Sequence, residues 1–72
     1  MSASILLDRA EVSNLVEKGQ ATLTVYHITI SYWKLELQHI TDNQVQIGLP
    51  KVCALEVVNL LMEEGICFTY VA

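Results

Sequence analysis

Between Val52 and Met62 only Glu56 and Asn59 are polar, and the other nine of the eleven residues are apolar. With Glu63 these two form one stripe at i, i+3 and i+7, so a helix through the segment is apolar over roughly two thirds of its circumference. One sheet face covers only part of such a surface, and a large apolar patch left in water marks a site of association. The chain has little else to cover it with. Its 72 residues make a single domain, because two cores need roughly 100 residues or more. A domain this small buries only about 60% of the surface that its unfolded chain exposes. The first helix covers some of the remainder, and a partner chain is the expected source of the rest.

Other elements follow from local chemistry. Ser4 to Leu7 is a short apolar run, and Asp8 with Glu11 has helix-start spacing, so a helix is expected from about Arg9 to Lys18, closed by Gly19. Val12, Leu15 and Val16 give it a one-sided apolar stripe. From Ala21 to Ile40 β-branched and aromatic residues dominate, which predicts strands. The apolar alternation changes phase within that segment, and a straight strand of this length would far outrun a small globule, so the segment must turn. A bulge is expected near Tyr26 or His27 and the main reversal near Ser31 and Tyr32.

Thr41-Asp42-Asn43 predicts a three-residue hairpin loop with Asn43 in the left-handed region. It would pair His39 with Val45, Leu37 with Ile47 and Leu35 with Leu49. Gly48-Leu49-Pro50 ends the sheet, with Pro50 opening a second helix that runs to Glu64. Gly65 closes that helix, and Ile66 to Val71 reads as a last strand. The order is β-α-β-β-β-α-β. Glu11-Val12-Ser13-Asn14-Leu15-Val16 and Glu56-Val57-Val58-Asn59-Leu60-Leu61 echo one another ahead of Gly19 and Gly65. The expected fold is therefore α+β: a small antiparallel sheet with two helices on one face, a variant of the ferredoxin-like split βαβ arrangement.

Charge removes several classes of partner. Eight acidic residues against four basic ones leave −4, and Arg9, Lys18, Lys34 and Lys51 are scattered, whereas nucleic-acid binding needs several cations on one surface. No run approaches the roughly 20 apolar residues of a membrane span. Two cysteines are too few for a disulfide framework, and no apolar leader opens the sequence, so a cytoplasmic location is expected.

Catalytic and metal signals are weak. His27, His39, Cys53 and Cys67 lack the close spacing of metal-ligand pairs. No nucleophile stands beside a base, Glu63 and Glu64 diverge at a helix end, and Gly19, Gly48 and Gly65 make no phosphate-binding loop. Neither an enzyme nor a cofactor is expected. Tyr26, Tyr32, Trp33, Phe68 and Tyr70 read first as core residues and second as interface residues.

Residues 44 to 72, through the Gly48-Leu49-Pro50 junction between strand and helix, resemble amino-acid-sensing ACT modules. That resemblance implies a small-molecule site near Gly48 to Pro50 between two subunits. The primary expectation is different: a small acidic interaction module that binds a protein partner as regulator or stoichiometric inhibitor, of the compact kind that mobile elements carry, and that also forms a homodimer. Leu55, Val58 and Met62 of the second helix, with Tyr32 and Trp33 at the sheet reversal, are its expected contact residues.

Overall fold

Alternation in the first strand sets the core. In the computed structural model, which describes residues 3–72, strand β1 (Ser4–Asp8) buries Ile5 and Leu7 completely or nearly so. Helix α1 (Arg9–Glu17) follows directly. The Asp8 side chain makes no capping bond there. Instead the Arg9 N–H, one of the helix's first unpaired donors, reaches the Asn43 carbonyl at 2.9 Å. The entry of α1 is thereby tied to a hairpin turn more than thirty residues away.

Both helices end in the same way. The Gly19 N–H bonds the Val16 carbonyl and the Gln20 N–H that of Leu15; Gly65 to Met62 and Ile66 to Leu61 repeat the pattern. Gly19 and Gly65 have φ of 74° and 72°, the left-handed conformation expected after a helix, where a Cβ would be strained. Ile66 then turns back into the core.

The expected strand segment holds one more reversal than the sequence reading gives it. Strands β2 (Ala21–Leu23), β3 (His27–Ile30) and β4 (Trp33–Ile40) are all antiparallel, so the bulge expected near Tyr26 or His27 is a complete hairpin turn. Its means is a threonine. The Thr24 N–H donates to the His27 carbonyl at 2.8 Å, and the Thr24 hydroxyl oxygen accepts the His27 N–H at 3.1 Å. This local side-chain bond substitutes for the glycine or asparagine that tight turns favour. The reversal at Ser31-Tyr32 stands where it was expected, with Ile30 paired to Trp33.

Thr41 repeats the device before strand β5 (Gln44–Gly48). Its N–H donates to the Gln44 carbonyl at 2.8 Å, and its hydroxyl accepts the Gln44 N–H at 3.0 Å. The left-handed conformation expected of Asn43 is therefore not needed: Ser31, at φ 58°, is the non-glycine residue with positive φ among those described. Of the expected β4–β5 register only Leu37 with Ile47 survives. His39 pairs with Gln46 and Ile40 with Val45, because Gln38 is an extra residue in β4. Leu35 pairs with Ile28 rather than Leu49.

Helix α2 (Ala54–Glu63) begins later than Pro50. The Leu49 N–H still bonds the Ala3 carbonyl, which continues the sheet to that residue. Residues 51–53 form a turn, and Cys53 supplies no side-chain cap. The last strand, β6 (Thr69–Val71), is likewise shorter than the Ile66 to Val71 run. The resulting order is β-α-β-β-β-β-α-β, a six-stranded antiparallel sheet arranged β2-β3-β4-β5-β1-β6 with two helices.

Val12 and Leu15 of α1 and Val57 and Leu61 of α2 join Ile5, Leu7, Ile28, Leu35 and Ile47 in one core cluster. The alternate sheet residues are largely polar. There Gln46 donates from one amide nitrogen to the Ser4 hydroxyl at 3.1 Å and to the Gln38 carbonyl oxygen at 3.2 Å.

Candidate functional site

Helix α2 has two unlike sides. Val57 and Leu61, four residues apart, are 1% and 0% exposed, whereas Leu55 and Met62, seven apart, are 72% and 64% exposed. At 100° per residue Val58 falls between these sides, and it is half-buried, packed against the core cluster. Leu55, Val58 and Met62 thus make one continuous apolar stripe, with Val58 at its inner margin. Asn59, Glu56 and Glu63 occupy the adjoining exposed arc. In the turn before the helix Val52 is 95% exposed. In a helix opening at Pro50, Val52 is one more residue of the apolar surface; its exposure comes from the later start of α2 at Ala54.

The hairpin turn divides its two aromatics. Tyr32 is exposed and Trp33 is half-buried against the core, with their rings tilted by 36° and 5.2 Å apart. Tyr32 therefore presents the outward surface, and Trp33 supports it from below. Ile30 and Ser31 share the lining of a cavity of about 300 Å³ with Glu64 and Ile66. The turn that carries Tyr32 and the end of the helix that carries Met62 border the same hollow.

The aromatic set splits in the same way. Tyr26 and Tyr70 are exposed, while Phe68 packs on the core. Period-2 alternation did not distinguish these, because Tyr26 sits in a turn and Tyr70 on a short edge strand.

The potentially reactive side chains are spread over different elements. His27 stands opposite Glu36 in the β3–β4 ladder, and His39 opposite Gln46. Cys53 precedes α2 and Cys67 follows it, and both are free thiols. Among the described residues no group of three or more histidine, cysteine or acidic side chains gathers as a metal site. Cys67 borders an open trough with Asp8, Glu11 and Glu17, where all the ionisable neighbours are carboxylates.

A second hollow, of about 230 Å³, opens between β4 and β5 and is lined by Lys34, Leu35, Glu36, Gln38, Gly48, Leu49 and Pro50. It includes the junction that the sequence reading marked through the ACT resemblance. Gly48 has a local reason to lack a side chain: a Cβ there would stand 2.7 Å from the Gln38 amide nitrogen. Among the described residues no helix is long and apolar enough to cross a membrane. No protein family, no curated protein and no solved structure matches the chain.

Proposed function

We propose that this protein is a non-enzymatic interaction module that binds a protein partner through α2, as a regulator or stoichiometric inhibitor, and that the same surface supports self-association. The observation that carries this reading is the pair Leu55 and Met62, both mostly in water on a helix whose opposite side is sealed. Exposing such side chains singly is ordinary, but Val52, Leu55, Val58 and Met62 are neighbours along one helix face and its approach. Association would take this surface out of water at about 25 cal/mol for each Å² of apolar area covered. The acidic side chains Glu56 and Glu63 flank the stripe, which favours a partner with an apolar groove and a basic rim.

The architecture is consistent with that role. We read β4-β5-β1-β6 with α1 and α2 as a split βαβ unit of the ferredoxin-like kind. The adjacency of β1 to both β5 and β6 supports the reading, and β2 and β3 then form an added hairpin between α1 and β4. Such a frame would hold α2 rigidly while leaving its outer side free.

Two measurements test the proposal. Sedimentation from low to high micromolar concentration should show a mass that rises with concentration for the native chain and stays monomeric for a Leu55→Ser/Met62→Ser variant. Affinity capture from the native cell should retain a protein that the variant releases. Monomers at every concentration, together with identical proteins captured by both forms, would remove the basis of the reading.

A further inference from the structure

Centred on Val57, the outward side of α2 reads nearly the same in both directions. Val52 and Met62 stand five residues to either side of it, and Leu55 and Val58 straddle the same level. Charge follows that symmetry with opposite signs. Lys51 stands six residues before Val57 and Glu63 six after, both exposed, and Lys51 is the one basic residue after Lys34. Glu63 and Glu64 close α2, whose last turn holds no basic residue. Carboxylates there oppose the negative end of the helix dipole, so that end favours a cation from outside the helix.

A surface with this pattern is complementary to itself turned through 180°. In a twofold pair every contact is made reciprocally. With two α2 helices antiparallel and the axis at the level of Val57, Val52 faces Met62 of the second copy, Leu55 faces Val58, and Lys51 faces Glu63. The Val57 N–H donates to the Cys53 carbonyl at 3.1 Å, so the helical path begins at Cys53 and Lys51 lies only two residues before it. A parallel pair would instead set Lys51 against Lys51 and Glu63 against Glu63, like charges at both ends.

We infer that two copies of this chain associate through antiparallel α2 helices about a twofold axis at Val57, latched at both ends by Lys51 of one copy and Glu63 of the other. This rests on the self-association proposed above and adds its direction and register. Packed helices lie about 8–10 Å apart, a gap that a lysine side chain spans. The apolar stripe supplies the area removed from water, and the exposed ion pairs, individually weak, select the antiparallel direction.

Sedimentation of the full chain and three charge variants, with circular dichroism melts to confirm folding, tests the inference. Lys51→Glu sets like charges at both latches and should weaken dimerisation about tenfold. Glu63→Lys should do the same, although it lowers the net charge of −4, which by itself would favour association. The double swap Lys51→Glu/Glu63→Lys keeps the net charge, restores opposite signs across the axis and should dimerise within about threefold of the native chain. A native dimer that Glu63→Lys leaves unchanged, or that the double swap fails to recover, would overturn the antiparallel register and leave the α2 surface in place. A native chain that stays monomeric would also overturn it: a captured protein released by Leu55→Ser/Met62→Ser would then assign the stripe to a different protein, and no such release would remove both readings.

Discussion

Ile30 stands directly opposite Trp33, so Ser31 and Tyr32 form the whole of the turn between β3 and β4. Two-residue hairpin turns that match the twist of their strands place positive φ at the first central residue, and Ser31 has φ 58°. Glycine is free of the Cβ clash that serine meets there, although it adds entropy to the unfolded chain. Ser31→Gly is expected to stabilise the fold by about 0.5–1 kcal/mol and to raise Tm by a few degrees. A thermal melt followed by circular dichroism checks this, and an unchanged or lower Tm would contradict the strain assigned to Ser31.

The converse holds where glycine is already in place. Gly65 has φ 72° and open space around its α-carbon, so an added Cβ meets backbone strain alone. Gly65→Ala should cost about 1 kcal/mol, and Gly65→Asn should cost less, since asparagine tolerates this region. Urea denaturation of the three proteins gives the order directly.

Gly48 answers to a neighbour instead. The Cβ of Gly48→Ala would press on the Gln38 amide, a movable side-chain end, and moving it would disturb the bond from Gln46 to Gln38. The substitution should therefore be less favourable in the native background than beside Gln38→Ala. A double-mutant cycle is expected to show coupling of about 0.5–1 kcal/mol, and a coupling near zero would mean that the two residues do not constrain each other.

The two sides of α2 should separate stability from association. Leu61→Ala empties a fully buried site and should cost about 2–5 kcal/mol, most of the margin of a domain this small. Leu55→Ser and Met62→Ser lie in solvent and should each change stability by no more than about 0.5 kcal/mol. Urea midpoints at a concentration where the chain is monomeric make the comparison. A large loss from either exposed substitution would show that its side chain supports the fold.

Local chemistry was enough for the helix ends. Gly19 and Gly65 stop their helices because the left-handed conformation suits glycine, and of the expected α1 stripe Val12 and Leu15 are buried while Val16 is exposed. The turn at Ser31-Tyr32 was legible from the phase change between Ile30 and Trp33. The turn at Thr24 was not, because its side-chain bond to His27 leaves the same β-branched composition as a strand. The bulge at Gln38 has one sign in the sequence, Ile40, which falls out of the odd-numbered apolar phase of Leu35 and Leu37 and pairs with Val45, while the preserved pairing of Leu37 with Ile47 masks it.

Among the expected contact residues, composition alone could not separate Val58 from Leu55, or Trp33 from Tyr32, since each pair is apolar or aromatic throughout. Their fates depend on which direction the core lies in, and that direction is set by chain segments distant in sequence. What the sequence by itself determined was the kind and approximate place of most elements, through backbone preferences that act over a few residues. Strand order and the outward side of α2 were decided only when β1 paired with both β5 and β6, because long-range pairing chooses which surfaces meet and which are left to water.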